Sequence, residues 1–160
     1  MERGELVDHL RKHSNRWPDS NWGDSEGKLA KLMENRPLRV IGDQRVIWAN
    51  GGPTPVADHG VSLSVVVFTE GYVIADEAAG VPGEDTPREG AARVIPWDAL
   101  MGLTLRESWL AGDGSDVGGA SFVVHLGGGL NVEVNPGRRE GYAAATELLS
   151  LVLRRLAAKQ

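Results

Sequence analysis

The spacing of hydrophobic residues changes in character along the chain. Within residues 1–36, two stretches have apolar side chains every three or four positions, a pattern typical of short amphipathic helices, and a turn-rich segment over residues 14–27 separates them. One such pattern includes Leu6 and Leu10, and a second runs over residues 28–35. Pro37 is expected to end the second helix. We therefore predict a helical N-terminal extension over residues 1–36.

From residue 37 onward, apolar positions alternate with polar ones, as they do in strands with one buried face. The first predicted hairpin pairs residues 38–41 with 45–48 around Gly42-Asp43, and residues 76–90 are predicted to form a long loop. The clearest hairpin runs from Phe122 to Val134 and turns at three consecutive glycines. About seven short antiparallel strands are expected in total.

A long helix is predicted over about Arg138–Ala158. Its expected packing stripe consists of Tyr142, Ala145, Thr146, Leu149, Val152, Leu153 and Leu156. Leu148 and Leu151 lie beside this stripe, so the apolar arc is wider than one packing surface requires. Because the helix follows the strands, we expect it to cover an open end or face of the sheet.

Composition and charge narrow the possible functions. The chain has 17 Lys and Arg residues against 22 Asp and Glu, a net charge of -5, which argues against a general nucleic-acid binder. It has no cysteine, which excludes disulfides, thiolate metal sites and cysteine nucleophiles. No signal peptide is recognisable, and no apolar run approaches the ~20 residues that span a bilayer, so we expect a cytoplasmic protein.

Three segments resemble bacterial members of the pleckstrin-homology-like (PH-like) family. Residues 42–49 resemble its opening strand, 63–74 its second hairpin, and 93–105 a passage in the middle of the domain. The resemblance covers roughly residues 38–158 and implies an α+β fold. In that fold, a bent, partly open barrel of seven antiparallel strands is capped by a C-terminal helix. The implied domain is 37–160, and the family is mostly a binding and assembly scaffold.

One loop departs from the lipid-binding members of this family. Those members carry several Lys or Arg residues between the first two strands, where they pair with phosphates. The corresponding loop here, Ala49–Gly60, contains Asp58 and His59 but no Lys or Arg. Phosphoinositide binding by that route is therefore not expected.

The candidate chemical motifs are weak. His9 and His13 lie four residues apart and could face one metal ion with Asp8, but a solvated helix face explains them more simply. His125 is expected on the solvent side of its strand. The serines lack a nucleophile-elbow setting. The triple glycine joins two strands, whereas a phosphate-binding loop opens a helix after a strand. The Glu84-Asp85 and Asp113–Asp116 pairs could bind Ca²⁺ weakly, but solvated loops explain them more simply. We predict no catalytic residue, metal or cofactor.

Aromatic and aliphatic residues outside the predicted core suggest interaction surfaces. Aromatic side chains bury a large area at little cost in entropy and are enriched at interfaces. Trp48 and Trp97 are expected in the core, whereas Trp17, Trp22 and Trp109 are candidate interface residues. Leu148 and Leu151 are candidates on the C-terminal helix, where the partner could be a second copy across a two-fold axis.

The leading hypothesis is a non-enzymatic interaction or assembly domain that acts through its last helix and its N-terminal extension. The alternative is a module that binds a small ligand or an anionic lipid surface, with Arg93, Arg106 and Arg138 near the anionic groups. A third possibility is an enzyme that uses His125 or His59 as a base. The partner itself is not predictable from these patterns.

Overall fold

The computed structural model describes residues 2–14, 17–18, 25–55, 60–80, 90–110, 117–136 and 141–160. The chain divides into two compact units, Met1–Ile95 and Pro96–Gln160. The elements of the first unit are α1 (Arg3–His13), α2 (Ser25–Ile41), β1 (Val46–Pro55), β2 (Val61–Thr69), β3 (Tyr72–Gly80) and β4 (Arg93–Pro96). Those of the second are β5 (Leu100–Leu110), β6 (Val117–Leu126), β7 (Leu130–Val134) and α3 (Tyr142–Ala157).

The first unit is a four-stranded sheet in the order β1-β2-β3-β4, with α1 on β1 and α2 on β2 and β3. Alternate residues of β2, namely Leu63, Val65 and Val67, are fully buried in a core with the helices. Leu6 and Leu10 of α1 belong to the same core. The N-terminal residues are therefore part of a packed unit, and the predicted domain boundary at residue 36 falls inside α2.

The strand predicted over residues 38–41 is wrong, because α2 continues through Pro37 to Ile41. The buried residues Leu29, Met33, Pro37 and Ile41 recur every fourth position and form one packing stripe. Burial of this stripe compensates for the backbone hydrogen bond that the helix lacks, because Pro37 has no N–H to donate. The predicted hairpin turn is the helix end: Gly42 has a φ of 55°, the left-handed conformation that commonly follows a last helical turn.

The second unit is a three-stranded sheet in the order β5-β6-β7, with α3 packed on β5 and β6. The predicted hairpin is confirmed, since β6 and β7 pair with Phe122 opposite Val134 and Leu126 opposite Leu130. Gly128 and Gly129 form its turn with φ values of 78° and 76°, which favour glycine.

Over the described residues, the predicted α+β class with seven strands and a C-terminal helix is confirmed, and the strands form two open antiparallel sheets of four and three. Residues 76–80, predicted as part of a loop, belong to a strand, because β3 continues to Gly80 instead of ending at Ala75. Among the described residues, no helix is long and apolar enough to cross a membrane.

Candidate interaction surface

Helix α3 buries only part of the packing stripe that the sequence predicts, and it also buries residues beside that stripe. Its buried residues are Ala145, Leu148, Leu151 and Val152, with Leu148 completely inaccessible. The expected packing residues Thr146 and Leu153 are exposed instead, and Leu153 retains 50% of its surface. Residues predicted to lie beside the packing stripe are therefore buried, and part of the predicted stripe is exposed. Leu153 leaves apolar surface accessible on the helix.

The exposed side of α3 follows a regular spacing. Its five members alternate three and four residues apart and are Ala143, Thr146, Ser150, Leu153 and Ala157. We call these residues the outer face of α3. A 3-4 spacing over two heptads places these side chains on one side of the helix, and helix pairs use the same spacing where they meet. Leu153 is the one large apolar side chain in this face.

Charged and aliphatic residues border the outer face. Glu147 and Arg154 lie seven residues apart, on the same flank of the helix, and Leu149 and Leu156 lie on the other flank. Leu149 and Leu156 are half-buried, and Arg154 is exposed. Both flanks therefore offer side chains to a helix that packs against the outer face.

The C-terminal end of α3 is fixed to the start of β5. Lys159 Nζ donates to the carbonyl oxygens of Asp98 at 2.5 Å and Leu100 at 2.6 Å. The same end contains Arg154 and Arg155, positive charges that suit the C-terminus of a helix. These contacts hold the outer face in a fixed orientation on the sheet of its own unit.

Three of the five predicted interface residues are buried. Leu148 and Leu151 are buried within the chain, and Trp17 is buried in the first unit. Trp22 lies outside the described residues, as does the side chain of Trp109. An interface role for these five residues stays a prediction. Leu153 is the exposed large apolar side chain of α3, although the sequence pattern placed it in the packing stripe.

Trp17 is held by a buried carboxylate. Its indole Nε1 donates to Glu34 Oε1 at 2.9 Å, and Arg3 Nε and Nη2 donate to Glu34 Oε2 at 2.9 and 2.6 Å. Ser14 Oγ accepts from the Gly51 amide at 2.8 Å, and a Cβ at Gly51 would lie 2.9 Å from the Trp17 ring. Trp17 therefore serves the interior of the first unit.

One of the two histidines of α1, His13, packs against a tryptophan. The His13 ring stacks on Trp48 at a centroid distance of 3.8 Å and an interplanar angle of 5°, and His9 meets His13 edge-on at 5.5 Å. Both rings are half-buried, so the interpretation of a solvated helix face is wrong. Burial lowers the pKa of His9, and it lowers the pKa of His13 to about 4 with a further contribution from His9.

The histidine pair gives little support for a metal site. In the part of the chain that the structure describes, no three His, Asp or Glu side chains are grouped to hold a metal ion. His13 Nδ1 lies 3.2 Å from the Ala49 carbonyl oxygen and so donates to it. The ring stacking and this bond make His13 an anchor that fixes the end of α1 on β1.

A row of three polar side chains crosses the sheet of the second unit. His125 Nε2 lies 2.7 Å from Thr104 Oγ1, and His125 Nδ1 lies 2.7 Å from Asn131 Oδ1. Because an amide oxygen only accepts, Nδ1 donates to Asn131, and Nε2 pairs with the Thr104 hydroxyl. Thr104 and Asn131 were not among the predicted site residues. The hairpin register, which places His125 opposite Asn131, was the available signal.

This row has the hydrogen-bonding order of a hydroxyl, a base and an orienting group, as in hydrolytic triads. Triad chemistry also needs oxyanion donors in a water-excluding cleft. Thr104 and Asn131 are instead exposed on the sheet surface. We therefore assign to the row the linking of β5, β6 and β7 by side-chain hydrogen bonds.

Comparison with known proteins identifies no relative. No family model, no curated protein and no solved structure matches the chain. The resemblance to the PH-like family therefore stays a prediction.

Proposed function

We propose that the chain is a non-enzymatic, cytoplasmic protein-interaction module of PH-like architecture, and that the outer face of α3 binds its protein partner. The observation that carries this proposal is that α3 has apolar side chains on two sides. One side is buried around Leu148, and Leu153 on the other is half exposed. A helix that serves only its own core needs one apolar stripe.

The rigid setting of α3 supports the same proposal. A binding surface on a fixed helix loses little conformational entropy when a partner docks. The bonds from Lys159 to the Asp98 and Leu100 carbonyls supply such a setting. In the first unit, by contrast, the predicted contact residue Trp17 is already engaged by Glu34, so α3 is the better-supported surface.

Site-specific photocrosslinking tests this function. A benzophenone amino acid replaces Leu153 in one variant and Lys31, an exposed residue of α2, in the control. After irradiation in cells that produce the protein, we expect a defined adduct of higher mass from position 153 and none from position 31. Absence of an adduct at 153, or the same set of adducts from both positions, would contradict the proposal.

A further inference from the structure

We propose that the partner of the outer face is a second copy of this chain, whose α3 packs antiparallel across a two-fold axis near Ser150. This inference rests on the proposed function and names its partner. An isologous interface requires a surface that is complementary to itself. The charges and the spacing of α3 meet that requirement.

The charged flank supplies the first argument. In an antiparallel helix pair, residues at equivalent flank positions of the two helices lie side by side. Glu147 and Arg154 occupy equivalent positions one heptad apart, on either side of Ser150. A two-fold axis at Ser150 therefore brings Glu147 of each copy beside Arg154 of the other. The two equivalent contacts each form a Glu–Arg ion pair.

The outer face supplies the second argument. In the same register, Ala143 lies opposite Ala157 of the second copy, and Thr146 lies opposite Leu153. Each exposed Leu153 is thus covered by a threonine methyl group and by the small residues around it. Small side chains at the crossing allow the helix axes to approach to about 8 Å, the lower end of the usual range. The half-buried Leu149 flanks the axis and meets its own copy.

The size of the interface sets the expected affinity. Ala143–Ala157 is about 21 Å long at a rise of 1.5 Å per residue. A single pair of helices of this length buries less than the ~1,200 Å² at the lower limit of standard stable interfaces. We therefore expect a reversible dimer with a dissociation constant in the micromolar range, in equilibrium with monomer.

An engineered disulfide tests the register, because the chain has no cysteine of its own. We expect Ser150→Cys to form a covalent dimer under mild oxidation, since residues at the axis approach their own copies. Ala143→Cys and Ala157→Cys are expected to crosslink when mixed and not separately. Monomeric product from Ser150→Cys, or crosslinking of Ala143→Cys with itself, would overturn the proposed pairing.

Charge exchange tests the ion pairs by sedimentation velocity over roughly 1–200 µM, a range that brackets the weak association expected. Glu147→Arg and Arg154→Glu are each expected to weaken the dimer about tenfold, and the double variant to recover most of the loss. Arg39→Glu, at an exposed position of α2, is the matched control for the change of charge. Circular dichroism verifies that each variant is folded.

The outcomes separate this inference from the proposed function. A chain that stays monomeric throughout, together with a Leu153 photoadduct of another protein, refutes the second copy and retains the interaction module. Monomer with salt-sensitive binding to phosphatidylserine vesicles and no protein adduct refutes both in favour of a membrane surface. A dimer that forms equally well in Arg154→Glu also refutes the proposed register.

Discussion

The helices of the two units use their apolar and charged residues differently. In the first unit, the apolar residues of α1 and α2 enter one core, and buried carboxylates fix the helices through ion pairs. In the second unit, α3 buries one side and leaves Leu153 exposed on the other. Exposed apolar surface, and not the total number of apolar residues, therefore distinguishes α3 from the helices of the first unit.

The largest expected effect concerns a buried ion pair of the first unit. Asp76 has no accessible side-chain surface; Arg36 Nε donates to its Oδ2 at 2.8 Å, and Arg36 Nη2 lies 2.6 Å from Oδ1. Arg36→Ala leaves the buried carboxylate uncompensated and should reduce the free energy of unfolding by about 3 kcal/mol or more. Urea denaturation followed by circular dichroism measures this loss.

The matched control is the exposed pair Arg45–Glu70, in which each side chain retains 56% of its surface. Arg45→Ala should cost less than about 1 kcal/mol, because solvent screens an exposed pair. Similar losses in the free energy of unfolding for Arg36→Ala and Arg45→Ala would show that the buried ion pair contributes no more to stability than the exposed one.

An intermediate effect separates the two sides of α3. Leu148→Ala creates a cavity at a fully buried position and should cost about 2–4 kcal/mol. Leu153→Ala removes a half-exposed side chain and should cost less than about 1 kcal/mol in monomer. Thermal and urea unfolding at submicromolar protein concentration compare the two variants. Equal losses would mean that both sides of α3 are core.

The smallest expected effect is a pH dependence of the first unit. The pKa of His13 is lowered to about 4, so the unfolded chain binds a proton at a higher pH than the folded chain does. The contribution of His13 to stability is therefore complete above pH ~6.5 and is lost as the pH falls toward 4.

His13→Phe retains an aromatic ring over Trp48 and removes the titrating group. Between pH 7 and about pH 5, wild type should lose roughly 1 kcal/mol more stability than this variant, after allowance for solvent screening of the half-exposed ring. Denaturant titrations of both proteins at the two pH values provide the measurement. Parallel losses would place the acid sensitivity elsewhere, for example at His9.

The sequence is a good guide where a pattern extends over a whole element. The alternation in Phe122–Val134 and the glycines within it predict the β6–β7 hairpin, because register and turn are local properties. Over residues 38–41 the same reasoning fails. Within this four-residue segment, Leu38 and Val40 alternate with Arg39, which suits a strand. The segment is helical instead, because the longer stripe from Leu29 to Ile41 packs on the sheet as one face of α2.

The candidate surface is predictable only in part. The width of the apolar arc on α3 shows in the sequence, but the choice of the buried side depends on the sheet beneath it. Leu148 and Leu153 are equally apolar, and the structure buries the first and exposes the second. Contacts between distant segments, such as that of Trp17 with Glu34, leave no local signal at all.

The position of Glu34 in the chain has a consequence for biosynthesis. Its two partners, Arg3 and Trp17, precede it by 31 and 17 residues, so both leave the ribosome before the carboxylate that they bind. The first helix therefore cannot complete its native contacts until α2 has been translated. Ribosome-bound chains from which only the residues before Glu34 have emerged should keep the N-terminal segment sensitive to protease, and chains released after the first sheet is complete should protect it.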